Sequence, residues 1–212
     1  MGRELAPKCK QCRRAAQKLY LKGDRCNSSK CAIVKRNYIP GIHGPKFGTR
    51  GVRLTDYGIQ LREKQKAKKS YRLLEKQFRN YYDKAVKQAG DSGENLYKLL
   101  EMRLDNVVYR SGFVKSKNLA RQSVNHGHFR VNGKKVDIPS YQMKIKDVIT
   151  IKPASLKTKL FEGLVDQLKI VETPAWINVD SKELSITVVG TPSVKETTPG
   201  FDLKAIVEYY SR

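Results

Sequence analysis

The chain has 212 residues, 39% of them hydrophobic, and its 43 Lys and Arg against 20 Asp and Glu leave a formal charge of +23. A surplus of that size repels itself unless an anionic partner neutralises it, so a permanent polyanionic partner is expected. The longest uncharged run, Leu184–Val194, spans eleven residues, which excludes a bilayer helix; with no apolar signal region at the amino terminus, the sequence reads as cytosolic.

The charge is uneven. Lys and Arg outnumber Asp and Glu by 36 to 12 through residue 152, whereas the last 60 residues carry 7 against 8. All four cysteines, Cys9, Cys12, Cys26 and Cys31, lie in the basic first segment with the spacing C-x2-C-x13-C-x4-C. Two close thiol pairs match a tetrahedral four-thiolate metal site, and in a reducing compartment such cysteines act as ligands rather than disulfides. Zn²⁺ is the first expectation, and an iron–sulfur cluster also takes four thiolates. Lys8, Lys10, Arg13 and Arg14 are expected to favour the thiolate form. The knot would order residues 1–45, a basic segment too small to fold alone, and present Arg13, Arg14, Lys35 and Arg36 to RNA.

Pro40–Pro45 punctuates that segment, and Lys46–Arg53 reads as a basic, Gly-rich linker carrying Lys46, Arg50 and Arg53. Asp56, or alternatively Thr55, can then cap a helix over Tyr57–Lys69, because a side-chain oxygen there accepts an orphan backbone N–H. Tyr57, Gln60, Lys64, Gln65 and Lys68 share one face, with Lys69 beside them. A ring, amides and cations are what a phosphate-sugar backbone with accessible bases accepts. A solvated lysine face is the alternative for a single charge run, but here the surplus extends over some 150 residues. A second helix is expected over Leu74–Ala89, with Leu74, Phe78, Tyr81, Tyr82 and Ala85 as its buried stripe and Gly90 at its end.

Ser92 is expected to open a third helix over Glu94–Arg110, with Leu96, Leu100, Leu104, Val107 and Val108 on its core face and Gly112 ending it. Ser116 caps a short helix reaching His126, whose N-terminus, with Lys117, offers N–H groups to phosphate. Asn132-Gly133 joins Phe129–Val131 to Lys134–Ile138, since both turn residues tolerate positive φ. A strand over Asp147–Ile151 follows. This module carries Arg103, Asn106, Arg110, Arg121, Gln122, His126, His128, Arg130, Lys134 and Lys135. Gly127 separates the two histidines and no third ligand is near, so a phosphate or 2′-hydroxyl contact or a plain surface role suits them better than metal. In the tail, Leu160–Leu168 reads as helical, and Trp176–Val179, Leu184–Val189 and Ile206–Tyr209 as strand or short helix. Catalytic templates such as GxxxxGK(S/T), GxGxxG after a strand, or HExxH are missing, so no enzyme is expected.

The chain also resembles the bacterial small-subunit ribosomal protein S-four family. The resemblance rests on Met1-Gly2-Arg3, the four cysteines, Leu19–Gly23, Pro40-Gly41-Ile42-His43-Gly44, Leu61–Lys66, Glu75–Arg79, Arg103–Arg110, Ala120-Arg121-Gln122, His126-Gly127-His128, Val131-Asn132-Gly133, Ile138–Tyr141 and Glu208–Arg212. It is nearly complete to residue 152 and patchy beyond. Lys22, His43, Arg72 and Arg79 are further expected RNA contacts; Arg72 departs from the resemblance, standing where the family usually has glycine. The linker Lys46–Arg53 has fewer arginines than is common, and Thr187–Leu203 lacks a usual charged run.

The resemblance implies an α+β fold: a metal-bound N-terminal segment (1–45), a helical RNA-binding domain (46–92, completed by about 195–212), and an inserted α+β domain (93–194). That last domain would carry a helix-hairpin RNA-binding module at about 103–165 and an antiparallel sheet. It also implies a structural constituent of the small subunit that binds 16S rRNA directly, nucleates assembly of the subunit body and affects translational accuracy. The implied partners are ribosomal proteins S-five and S-three, and mRNA where it enters the subunit. Two other readings are weaker. An RNA-modifying enzyme using the 103–151 module needs a catalytic domain that the remaining 60 residues are too few to form. A DNA-binding zinc protein needs one recognition helix, whereas these cations are spread over many elements.

Overall fold

A computed structural model describes residue 4, residues 6–42, residue 44, residues 54–194, residue 196 and residues 199–212. In chain order the elements are α1 (Lys8–Ala15), α2 (Asp24–Asn27), α3 (Ala32–Lys35), α4 (Asp56–Ser70), α5 (Glu75–Val86), α6 (Ser92–Glu101), α7 (Leu104–Arg110) and α8 (Lys117–Asn125). They continue with β1 (Phe129–Val131), β2 (Lys134–Lys135), β3 (Val148–Ile151), α9 (Pro153–Leu156), α10 (Leu164–Ile170), β4 (Ile177–Asp180), β5 (Ser185–Val188) and α11 (Leu203–Tyr210). The chain forms two compact units, residues 1–96 with 199–212 and residues 97–198. Helices combined with an antiparallel sheet make the fold α+β.

In the first unit, α1 to α3 enclose a small core of Cys12, Ala15, Leu19 and Leu21, with Ile33 against it. Thr55 rather than Asp56 caps α4, its hydroxyl accepting the Gly58 N–H at 3.3 Å. Leu74 is the exposed N-cap of α5 rather than part of its stripe, while Phe78, Tyr82 and Ala85 are buried and Tyr81 is half-buried. The helix ends at Val86, short of Ala89. The Asn95 side-chain amide donates to the carbonyls of Ala85, Gln88 and Ala89 at 3.4, 3.3 and 3.1 Å, satisfying orphan groups of that last turn. Asp91 rather than Ser92 opens α6, its carboxylate accepting the N–H groups of Gly93 and Glu94. The ambiguous Ile206–Tyr209 segment is helix α11, capped by Asp202, whose carboxylate accepts the Lys204 N–H at 2.8 Å.

The second unit is built on a five-stranded antiparallel sheet of order β2-β1-β3-β5-β4. Helices α7 and α8 cover its core, in which Leu104, Val107, Val108, Phe113, Val124, Phe129, Ile149, Ile186 and Val188 are buried. The single helix expected over Glu94–Arg110 is broken between Glu101 and Leu104. Two long-range bonds hold the break: Leu104 N–H to Tyr141 C=O at 2.9 Å, and Met143 N–H to Met102 C=O at 2.8 Å. Arg103 sits there with extended backbone, its guanidinium gripping Asp105 at 2.8 and 3.0 Å.

The hairpin forms at Asn132-Gly133, with φ of 48° and 77° as a type I′ turn requires. Asn132 also ties the turn to β3, donating to Asp147 at 2.8 Å and accepting the Val148 N–H at 2.9 Å. Strand β2 is only two residues and does not reach Ile138. Along β3, Ile149 and Ile151 are buried while Val148 and Thr150 are half-buried, the alternation the sequence suggested. The expected Leu160–Leu168 helix starts later, at Leu164, after Gly163 at φ 69°.

Candidate nucleic-acid interface

The four cysteines converge. Cys12, Cys26 and Cys31 are buried and Cys9 is half-buried, and all four wall one cavity of about 20 Å³ with Leu21, Ala32 and Ile33. That volume is on the scale of a single small bound species. Cys26 Sγ accepts the Lys22 backbone N–H at 3.4 Å. Burial pushes the Cys12 thiol up; a backbone N–H from Leu19 pulls it down, and the other three sulfurs push it up again. The neighbouring Lys and Arg therefore do not draw Cys12 to the thiolate, contrary to the expectation from their proximity in sequence. A metal ion among the sulfurs would reverse that, because it stabilises the deprotonated form. No group of three or more His, Cys, Asp or Glu among the described residues stands at metal-binding separations; what fits a soft cation is the donor set and the small space they share.

Around this knot, Arg14, Lys22, Lys35 and Arg36 are exposed. Arg13 is engaged by protein, donating to Tyr38 C=O at 3.0 Å and lying 4.5 Å from the centre of its ring.

Of the expected stripe of α4, Gln60, Lys64 and Lys68 are turned to the protein, whereas Tyr57 is 50% exposed and Gln65 lies with the residues of the other side. The first three form the seam against α11 and Glu75. Gln60 and Lys64 are buried. Gln60 donates to Glu208 at 2.9 Å, and Lys64 reaches Glu75 at 2.7 Å while lying 4.3 Å from the Tyr209 ring centre. Lys68 takes the other Glu75 oxygen at 2.9 Å, and the Tyr57 and Tyr209 hydroxyls are 3.5 Å apart. Burial alone would raise the Glu75 carboxyl, but hydrogen bonds from Lys64, Lys68 and Tyr210 outweigh it and hold it down to about 2. The same contact and burial push the Tyr210 hydroxyl up. The other side of α4 presents Arg62, Gln65, Lys66 and Lys69, all half-buried. Arg62, Lys66 and Lys69 recur at i, i+4 and i+7, a signal present in the sequence but obscured by the neighbouring stripe. Arg79 is exposed on α5, whereas Arg72 is buried and donates to Glu4 C=O.

In the second unit several expected contact residues form the frame instead. Arg103 pairs with Asp105, and Asn106 donates to Glu101 at 2.7 Å. Arg110 forks onto Glu101 with two 2.9 Å bonds. Arg121 is buried, and Ser116 caps α8 by accepting the Leu119 N–H at 3.2 Å. Gln122, His126, Lys134 and Lys135 are exposed, and Lys117, His128 and Arg130 are half-buried.

The Lys117 ammonium is pushed down to about 8 by burial, opposed by Glu101 and Asp105 and reinforced by Arg110. His128 shares a 2.9 Å hydrogen bond with Ser155 and meets Phe161 edge-on. Burial, then His126 and Lys152, lower its pKa; Lys152 is a cation of this edge that the sequence reading did not select. His43, Lys46, Arg50 and Arg53 lie outside the described residues. Among the described residues no helix is long and apolar enough to cross a membrane.

Residues 3–101 match the family described as Ribosomal protein S4/S9 N-terminal domain, and residues 102–149 match the S4 domain. Among similar proteins, the small ribosomal subunit protein uS4 of Heliobacterium modesticaldum is 49% identical over 212 residues, covering 100% of both chains. That of Desulforamulus reducens is 50% identical over 212 residues, and that of Thermotoga petrophila 48% over 213, again with 100% of both chains covered.

Proposed function

This chain belongs to the ribosomal protein S4 family, a family of structural proteins rather than enzymes, and from that premise we propose that it is a constituent of the small ribosomal subunit in the cytoplasm that binds 16S rRNA. The observation that carries the reading is local. The stretch matched to the S4 domain holds α8 and the β1–β2 hairpin, where Gln122, His126, Lys134 and Lys135 are exposed around half-buried Lys117 and Arg130. Mixed cations, amides and imidazoles on an irregular edge suit the phosphates and 2′-hydroxyls of folded RNA.

The charge-rich first unit would supply a second contact area through Arg14, Lys22, Lys35, Arg36 and Arg79. Binding through two areas to one RNA is how such a protein would nucleate assembly of the subunit body. Contacts with ribosomal proteins S-five and S-three, with mRNA where it enters, and an effect on translational accuracy belong to the same reading. Cys9, Cys12, Cys26 and Cys31 would hold a Zn²⁺ ion, which would stabilise the thiolates and fix the basic segment between them.

Footprinting of the purified chain on small-subunit rRNA tests the reading. Protection confined to one multi-helix junction is the expected result, and uniform weak protection would reduce the chain to a generic polycation. Affinity should also fall steeply with salt; for duplex DNA, six to ten phosphate contacts cost about 10³–10⁵ between roughly 50 and 200 mM. A flat salt profile would sink the electrostatic argument.

A further inference from the structure

Within the first unit, a cavity of about 500 Å³ lies between α1 and α4. Its size is in the range of about 300–1,000 Å³ that encloses small organic ligands. Two kinds of surface meet in it. Ala15, Ile39, Leu54 and Leu61 make an aliphatic floor, and Arg14, Arg62, Lys66 and Lys69 bring cations to the same space. Among the described residues no carboxylate lines it.

Two further observations concern those cations. Arg62 buries its Nε–H, and that donor has no hydrogen-bond partner among the described residues. A buried donor left unmatched is costly, and charge makes it more so. Burial pushes the Lys69 ammonium down; Glu4 opposes this, and Lys68 and Arg14 add to it. Lys66 differs, since Glu63 already pairs with it at 2.5 Å. An occupant that relieved Arg14, Arg62 and Lys69 would have to be anionic. One that used the floor would also have to present a flat or apolar face. Inorganic phosphate meets only the first condition and an aliphatic side chain only the second. A nucleotide meets both.

We propose that this cavity receives one unstacked nucleotide of the bound RNA, with its base on the aliphatic floor beside Gln65 and its phosphate among Arg14, Arg62 and Lys69. The inference rests on the RNA-binding reading above and adds to its electrostatic part an apolar contact with one base. Splayed bases that stack on aromatic rings or Arg planes are a common mode of single-stranded RNA recognition; here Arg62 would supply the plane and the aliphatic floor the apolar contact.

Gly58 gives the test its handle. It lines the cavity from α4, and a Cβ built on it would meet Thr55 and Leu54 at 3.4 and 3.5 Å, ordinary contact distances. A leucine there fits the backbone and fills space the base would use, while the alanine control leaves most of it open. The full chain is bound to small-subunit rRNA, irradiated with ultraviolet light, and mapped for nucleotide adducts. Its affinity is measured across salt, and melting of each variant confirms folding.

A nucleotide adduct between Leu61 and Lys69 is expected in the parent chain. Gly58→Leu should lose it and bind about tenfold more weakly, with a salt slope shallower by no more than about one phosphate contact, and Gly58→Ala should match the parent. The inference is overturned if Gly58→Leu binds as tightly as the parent, or if crosslinks place a peptide in the cavity. Failure of the parent chain to bind rRNA specifically would instead overturn the functional reading itself, so the two failures are distinguishable.

Discussion

Arg72 sits at φ 58°, in the left-handed region that penalises a Cβ. Its guanidinium reaches Glu4 C=O, which gives the side chain something to hold. Both Arg72→Ala and Arg72→Gly lose that contact, but only glycine also relieves the backbone. Arg72→Gly should therefore be more stable than Arg72→Ala by about 1 kcal/mol in denaturant unfolding, whatever the cost of losing the arginine. Equal stabilities would mean that the φ value carries no strain. Lys117 makes a second case. Its ordinary value of 10.5 falls to about 8 because the ammonium is taken from water. A phosphate alongside would favour the charged form, so RNA binding should take up a proton there. RNA affinity should hold at neutral pH and fall as pH rises through about 8, and Lys117→Arg should flatten that fall. A parent profile that is already flat would remove Lys117 from the interface.

At the scale of elements, the seam between α4, α5 and α11 turns on one carboxylate. Glu75 accepts from Lys64 at 2.7 Å, Lys68 at 2.9 Å and Tyr210 at 2.9 Å. Its folded-state pKa of about 2 lies below the ordinary 4.5, so its stabilising contribution is present above 4.5 and is lost as pH falls through about 2. Thermal melts of Glu75→Gln should show lower stability than the parent near pH 7 and a smaller loss on acidification. Because Glu75 is itself 46% exposed, solvent screening keeps the effect modest. A parallel decline of both proteins with acid would place the sensitive group elsewhere. Helix α7 shows the opposite kind of control. Nothing in the run Glu94–Arg110 announces a break, since its apolar residues keep helical spacing throughout. The break is imposed by backbone partners at Tyr141 and Met143, roughly forty residues on.

At the scale of the molecule, the basic surface is ordered in two different ways. The second unit fixes its cations on a sheet with a continuous core, whereas α1 to α3 have only a small cluster of buried side chains around Cys12 and Leu21. So small a core is the kind that a metal crosslink stabilises, as proposed above for the four cysteines. Metal analysis of the purified chain should find about one zinc per molecule, and Cys26→Ser should lose it. RNA protection assigned to Arg14, Lys35 and Arg36 should weaken in that variant, while the cooperative melting of the remainder persists. Iron with labile sulfide would replace zinc by a cluster, and metal retained in Cys26→Ser would break the ligand assignment.

Sequence alone determined the features carried by neighbours in the chain. The Ser116 cap, the Asn132-Gly133 turn and the alternation along Val148–Ile151 depend on contacts a few residues apart, and the net charge depends on no contact at all. The quoted motifs announced the family, and the four cysteines line one small cavity. Tertiary structure decided which side of each element is spent on the protein itself. Gln60 meets Glu208 across 148 residues and Lys64 meets Glu75 across 11, and those partners turn the middle of an apparently RNA-facing stripe of α4 into an internal seam, with Tyr57 left 50% exposed at its end. Arg103 and Asn106, equally basic or polar on paper, become frame because their partners lie in the core. The cavity beside Arg62 exists only because α1 packs against the other side of α4. Helical periodicity says which residues share a face, but burial energy, summed over partners distant in sequence, decides which face is turned inward.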